Sequence, residues 1–131
     1  MSTRCTIAYK DKDGIHSIYC HFDGYVEKPG VGYKLTKYYN NEDSAKEIVS
    51  LGDMSYLEEM LYPTTTVHSF DNPEDNVSVF YHRDRGEDLH IGSFKTKKEW
   101  MNSYDMDYFY LWDKDKWNCW DYKGVKIDLY E

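Results

Sequence analysis

Two alternating runs on either side of an Asp-Gly pair limit what the first part of this chain can form. Residues 3–10 and 15–22 alternate between apolar and polar side chains around Asp13-Gly14. A period of two is typical of a strand, and Asp-Gly is a frequent hairpin turn. The predicted core face of this hairpin carries Cys5, Ile7, Tyr9, Ile18, Cys20 and Phe22. A two-residue and a four-residue loop give the same faces, because they differ by an even number of residues.

The end of the chain predicts a three-stranded meander. Residues 108–113, 116–122 and 125–130 are separated by the two-residue turns Lys114-Asp115 and Lys123-Gly124. This pairing places Phe109, Leu111, Trp120, Tyr122, Val125, Ile127 and Leu129 on one face, and Tyr110, Trp112, Trp117, Cys119 and Tyr130 on the other. Both faces are more apolar than a solvated sheet needs. Either helices cover both faces, or the second face is a recognition surface.

Helical periodicity dominates the segments between the hairpin and the meander. Predicted helices cover 31–39 after Pro29-Gly30, then the residues from a cap at Asn40 or Asn41 to a stop at Gly52, and finally 97–104. A further turn is predicted from Asp53 to Leu61, and strands over 64–70 and 77–83. These elements predict an α+β fold in which an antiparallel β-sheet packs with two or three short helices, as a single domain over residues 1–131.

Two glycines are expected to hold backbone conformations that other residues adopt only at a cost. Gly24 follows Asp23 in the turn after the hairpin, and Gly52 follows the apolar stripe of the second helix. Glycine enters positive φ freely and is the usual residue at a helix C-terminus. We therefore predict positive φ at both positions.

The overall charge argues against direct binding to nucleic acid. The net charge is −8, and only Lys95-Thr96-Lys97-Lys98 groups basic residues in sequence. A phosphate-tracking surface needs clustered Lys and Arg. No apolar run approaches the roughly 18 residues of a membrane span, so no membrane association is expected. Three cysteines without paired spacing indicate free thiols in a reducing compartment, and we expect a cytoplasmic protein.

No cofactor is expected, with zinc as the alternative. The likeliest ligand set is Cys20, His68 and His82, although none of them has the close paired spacing of a zinc motif. Cys20 and the adjacent His21 do not form a site by themselves, because neighbouring residues on a strand point to opposite faces. We predict that Cys20 is buried and that His21 points away from it.

The charged segment 83–88 allows a second, enzymatic interpretation. In a small metal-dependent phosphoesterase, Asp84 or Glu87 would hold a divalent metal ion and Arg85 would bind phosphate. The simpler interpretation is a connection whose opposite charges pair with each other and with water. No nucleotide-binding or nucleophile motif accompanies the segment, so an enzyme is the less favoured class.

Aspartates interleaved with Tyr and Trp predict a binding surface on the meander. Aromatic rings are common interface anchors, and carboxylates speed association with a basic partner. The predicted partner-binding residues are Tyr110, Trp112, Asp113, Asp115, Trp117 and Asp121. The alternative is a solvated acidic face over a large aromatic core.

Several phrases in the first 90 residues form a set. They are IYCHFDGY (18–25), the glycine before the first helix, LGDMSYL (51–57), HSFDNP (68–73) and YHRDRGE (81–87). This set resembles a family of small, mostly uncharacterised proteins of bacteriophages and other mobile elements. The resemblance implies a phage-type inhibitor of host defence, anti-CRISPR proteins among them. The expected partner is a host or phage protein with a basic surface, such as a CRISPR effector, in the host cytoplasm. Independently of this resemblance, a zinc-stabilised accessory domain is a third possible function, after the inhibitor and the metal-dependent phosphoesterase.

Overall fold

A mixed β-sheet with helices on both faces organises the chain. The computed structural model describes residues 3–130. Its strands are β1 (Cys5–Asp11), β2 (Gly14–Cys20), β3 (Met54–Tyr56), β4 (Val79–Phe80), β5 (Gly92–Phe94), β6 (Tyr108–Asp113), β7 (Lys116–Asp121) and β8 (Lys126–Ile127). Its helices are α1 (Val31–Tyr38), α2 (Glu42–Ser50), α3 (Tyr81–Arg85) and α4 (Lys97–Ser103). The predicted α+β class is confirmed, with a larger sheet and one more helix than expected.

The two ends of the chain meet at the centre of the sheet. The strand order is β4-β3-β2-β1-β6-β7-β8, with β5 added alongside β2. The hairpins β1–β2 and β6–β7 are antiparallel, whereas β1 and β6 run parallel from Cys5↔Tyr108 to Tyr9↔Trp112. The sheet is therefore mostly antiparallel, with parallel pairing at its centre.

Each face of the sheet carries its own hydrophobic core. Under α1 and α2, a large cluster packs the side chains of Ile7, Ile18, Cys20, Leu35, Ile48, Tyr110, Trp112 and Trp117, among others. Under α4, a smaller cluster contains Ala8, Ile15, Trp100, Phe109 and Leu111. The Trp100 indole Nε1 also donates a hydrogen bond to the Thr6 hydroxyl, 3.2 Å away. Burial of both faces explains why the central strands are so apolar.

The N-terminal hairpin has the predicted faces with a different pairing. Ile7 lies opposite Ile18 and Cys5 opposite Cys20, so the turn is Lys12-Asp13 rather than Asp13-Gly14. The shift is an even number of residues, so the core face is retained. Only Phe22 leaves this face, because it lies beyond the end of β2 and is exposed.

The helices predicted from caps and periodicity are present. Asn41 caps α2, its side chain accepting a hydrogen bond from the Ser44 N–H at 2.8 Å, and Thr96 caps α4 in the same way through Glu99. The helical turn predicted from Asp53 is wrong. Residues 54–56 form β3 instead, since Met54 pairs with Cys20 and its carbonyl accepts from the His21 N–H.

Two predicted strands also differ. Residues 64–70 form a loop, because the backbone N–H groups of Thr64 and Thr65 bond to the Glu74 carboxylate instead of to a strand. The strand predicted over 77–83 shortens to β4 and gives way to α3, which ends at Gly86 with a left-handed φ of 77°.

The last strand is shifted by one residue from its predicted pairing. Lys126 lies opposite Trp120, and Ile127 lies opposite Cys119. The Asp121 carboxylate causes a longer turn, accepting hydrogen bonds from the N–H groups of Lys123 and Val125. A shift of one residue exchanges the two faces of a strand, so Ile127 joins the core under α1 and α2 and Lys126 takes its place beside Trp120.

The two glycines have different roles. Gly52 has a φ of 85°, as predicted. At the other turn Asp23 holds the positive φ of 59°, and the prediction for Gly24 is wrong. A Cβ on Gly24 would lie 2.9 Å from both Cys5 Cβ and the Thr3 carbonyl oxygen, so glycine is needed there for close packing.

None of the helices within residues 3–130 combines the length and the apolar composition needed to cross a membrane.

Substitutions at Gly52 should rank by their tolerance of positive φ. We expect Gly52→Asn to cost least, Gly52→Ala about 1 kcal/mol, and Gly52→Val about 2 kcal/mol of unfolding free energy, because Asn tolerates the left-handed region and a β-branched residue does not. Urea denaturation of the three variants measures this order. Equal stabilities for the Asn and Val variants would contradict it.

Candidate functional site

The predicted aromatic binding face is in the core. Tyr110, Trp112 and Trp117 are 0%, 6% and 1% exposed. The Tyr110 hydroxyl donates to the Gly24 carbonyl at 2.7 Å, and the Trp117 indole donates to the Tyr39 carbonyl at 2.9 Å. The prediction that these rings stand exposed is wrong, because α1 and α2 cover this face of the sheet.

The three predicted aspartates do not form one acidic surface. Asp113 and Asp115 lie at the β6–β7 turn, where Lys114 and Lys116 surround them. Asp121 lies at the opposite end of β7, where its carboxylate holds the next turn. The carboxylates of Asp113, Asp115 and Asp121 are therefore accessible at the two ends of the β6–β7 hairpin, but they do not form a single patch.

The proposed zinc ligands are not brought together. Cys20 is fully buried in the large core, His68 contacts Asp84, and the His82 Nδ1 atom lies 2.7 Å from the Glu87 carbonyl oxygen. Among residues 3–130, no three His, Cys, Asp or Glu side chains are grouped as a metal ion requires. His21 points away from Cys20, as predicted, and its Nδ1 atom forms a short hydrogen bond with the Tyr19 hydroxyl.

Asp84, assigned to catalysis in the enzymatic alternative, is a structural residue. Its side chain is 3% exposed and accepts hydrogen bonds from Arg83 and from the Phe80 N–H. The His68 Nε2 atom is 3.1 Å from Oδ2 but poorly aligned for a hydrogen bond, while its Nδ1 accepts from the Glu74 N–H. Burial would raise the pKa of Asp84, but the hydrogen bonds from Arg83 and from the Phe80 N–H, together with the positive charge of Arg83, lower it.

The other two residues of the enzymatic alternative are exposed. Arg85 and Glu87 form a surface ion pair of 3.0 Å. The Arg85 guanidinium also lies 4.7 Å from the centre of the Phe70 ring and 5.8 Å from that of Tyr81. With Asp84 buried behind them, these side chains provide contact area and charge, and they do not form a metal-binding set.

The end of β2 begins a surface of half-exposed rings. The His21 and Phe22 N–H groups bond to the carbonyls of Met54 and Ser55, which continues the pairing with β3 beyond Cys20. The His21 ring meets the Phe22 ring edge-on at 4.4 Å, and Phe22 is 42% exposed. The backbone thus presents the rings of Tyr19, His21 and Phe22 in fixed positions.

Asp53 joins this strand end to α3. Its carboxylate accepts from the Tyr19 N–H at 2.8 Å, and its carbonyl accepts from the Tyr81 N–H at 3.1 Å. The Phe70 N–H bonds to the Asp84 carbonyl, which brings the Phe70 ring to 6.1 Å from the Tyr81 ring. We call the resulting group the ring surface; it consists of Tyr19, His21, Phe22, Phe70, Tyr81 and Arg85.

The hydroxyls of the ring surface are suited to binding and not to nucleophilic chemistry. Burial raises the pKa of Tyr19, and the nearby Tyr81 raises it further. Burial also raises the pKa of Tyr81, against the effect of a hydrogen bond with Ser55. Both phenols therefore remain protonated at neutral pH and act as amphipathic contact groups.

The ring surface joins segments that are far apart in the sequence. Tyr19, His21 and Phe22 come from segment 18–25, Phe70 from 68–73, and Tyr81 and Arg85 from 81–87, while Asp53 of segment 51–57 connects them. These are the segments on which the resemblance to phage proteins rests. The available signal was the repeated combination of an aromatic residue with His or Arg in the three segments that supply the rings.

Comparison with protein-family models, with curated proteins and with solved structures gave no significant match to this chain.

A structural role for Asp84 predicts a loss of stability in Asp84→Asn. We expect about 3 kcal/mol at pH 7, because the substitution leaves the Arg83 guanidinium without its buried partner. Since the folded-state pKa is lowered, this contribution is present above the pKa of the unfolded chain and is lost as pH falls through the folded value. Urea denaturation at pH 7 measures the loss of stability, and the same experiment at about pH 3 measures how far this loss disappears when Asp84 is protonated. The exposed Asp88→Asn is the control, and equal stability of Asp84→Asn and wild type at pH 7 would restore Asp84 to the catalytic candidates.

Proposed function

We propose that this protein acts by binding another protein through the ring surface, as a phage-type inhibitor of a host defence system. The observation that carries the proposal is the convergence of three chain segments into one group of partly exposed rings around Asp53. Aromatic and Arg side chains are the residues most often found as interface anchors. The inhibitor class comes from the resemblance of the same segments to phage proteins.

The backbone beneath the ring surface favours binding over a purely structural role. Hydrogen bonds from Tyr19, Phe22 and Tyr81 to β3 or to Asp53 hold the rings in place before any partner arrives. A preformed surface loses little conformational entropy on binding. Half-exposed rings held in this way suit a rigid docking site.

Charge around the ring surface indicates the chemistry of the partner. Asp23 and Asp71 directly follow Phe22 and Phe70, and Glu87 and Asp88 follow Arg85; all four carboxylates are exposed. This acidic border complements Lys and Arg on a partner and speeds its approach. A basic protein that handles nucleic acid, such as a CRISPR effector, has the required surface.

The function can be tested in bacteria that carry defined CRISPR systems. Expression of the wild-type chain is expected to restore plating of a phage that the system targets, and Phe22→Ala with Arg85→Ala is expected to abolish this effect. Tyr38→Ala removes a comparably exposed ring from α1 and serves as the control. Restoration of plating by the double variant at the wild-type level would refute the ring surface as the interface.

Binding kinetics with the captured partner separate anchors from steering charges. In surface plasmon resonance, Phe22→Ala should raise the dissociation rate about tenfold or more, because it removes a buried contact. Asp23→Asn with Asp71→Asn should slow association and flatten its salt dependence instead. Equal kinetics for all variants would leave the ring surface without a role in binding. The acidic ends of the β6–β7 hairpin, with Asp113, Asp115 and Asp121, would then be the next candidates.

A further inference from the structure

A lysine-lined pocket lies on the opposite half of the sheet from the ring surface. It has a volume of about 530 Å³ and opens between α4 and the strands β6, β7 and β8. Its basic residues are Lys10, Lys97, Lys114, Lys116 and Lys126. Asp113 is the only acidic residue of its lining, so the pocket is strongly positive in a chain of net charge −8.

The five pocket lysines have no carboxylate partner in the part of the chain that the structure describes. Within residues 3–130, none of the five forms an ion pair, whereas Lys34 and Lys46 elsewhere do. The chain contains 24 acidic residues, so partners were available to selection. Five like charges around one cavity repel one another, and an anion in the cavity would relieve that repulsion.

Trp120 fixes the position of two of these lysines. The Nζ atoms of Lys97 and Lys126 lie 4.5 and 5.7 Å from the centre of its ring. Such cation–π contacts orient ammonium groups without neutralising them. Lys126 reaches this ring because of the one-residue shift of β8.

The β6–β7 turn retains its lysine at a conformational cost. Lys114 and Asp115 have φ values of 57° and 62°. A turn with two positive φ values strongly favours Asn-Gly, and each other residue there is strained. Lys97 likewise begins α4, where a carboxylate would suit the helix dipole better. Local stability therefore does not explain why lysine occupies position 114 or position 97.

The positive lining continues beyond this pocket. An adjoining pocket of about 450 Å³ shares Lys97 and adds Lys98 and Lys123, against one carboxylate, Asp105; the rest of its lining is uncharged. It also contains the ring of Tyr122, which is 67% exposed. The two cavities share Lys97, and their lysines together with the exposed ring in the second form a track that is longer than one phosphate group requires. We call it the lysine groove.

We propose that the lysine groove binds single-stranded nucleic acid, with the lysines on successive phosphates and Tyr122 stacking against a base. Proteins that bind single strands combine a positive groove with aromatic stacking in this way. This proposal differs from the expectation based on net charge, because net charge averages the groove with the acidic remainder of the chain. The inference is independent of the proposed function, since it involves neither the ring surface nor a protein partner.

Fluorescence polarisation with a labelled oligothymidylate of about 20 nucleotides tests the proposal. If all seven lysines of the groove contact phosphates, log K should fall with log salt concentration with a slope of about −4.9. Lys114→Gln with Lys116→Gln should weaken binding about tenfold and reduce the slope by about 1.4. Lys37→Gln with Lys46→Gln changes the net charge equally on the two helices of the other face, and should change neither quantity.

Two further variants separate binding from folding and charge from stacking. Lys114→Asn suits positive φ better than lysine, so it should weaken binding while the melting temperature stays the same or rises. Tyr122→Ala should weaken binding without changing the salt slope, because stacking releases no counterions.

Four results would overturn the proposal. The first is no binding at low salt, and the second is equal weakening by the groove and control variants. The third is displacement of the labelled strand by ATP or pyrophosphate at concentrations matched in phosphate, which would assign the pocket to small phosphate compounds. Tighter binding of duplex than of single strands would likewise refute the single-strand assignment.

Discussion

The parallel pairing of β1 with β6 is the contact on which the rest of the structure depends. It joins residues 5–9 to residues 108–112 and makes one sheet from two hairpins. Both strands then have neighbours on each side, and helices cover both faces. Large aromatic side chains such as Trp100, Trp112 and Trp117 fill the two layers, so these rings belong to the core and not to a binding surface.

Features set by neighbouring residues were predictable from the sequence. The faces of the first hairpin, the Asn41 cap of α2 and the φ of Gly52 follow from local alternation and backbone preference. The position of the Lys114-Asp115 turn follows from the alternation on either side of it. Features set by distant partners were not. Met54 has helix propensity but lies in β3, because it pairs with Cys20 of β2. Thr64 and Thr65 do not form the predicted strand, because their N–H groups bond to the Glu74 carboxylate.

The candidate surfaces show the same division between local and distant effects. Each segment of the ring surface is recognisable alone, yet only Asp53 and the β2–β3 pairing reveal that the segments meet. The lysine groove draws on α4, on the β6–β7 turn and on β8, so no single stretch of sequence displays it. A shift of one residue in β8 decides whether isoleucine or lysine stands beside Trp120.

The central position of β1 also determines when the sheet can close. β1 and β2 leave the ribosome before β6, because the partner of the second edge of β1 is made about 100 residues later. Contacts of such long sequence separation form slowly, because a large loop must close before they repay its entropy. Until then the apolar edge of β1 is open to any other strand, and an open edge is the usual starting point of aggregation. A nascent or truncated chain thus depends on β6 for solubility as much as for stability.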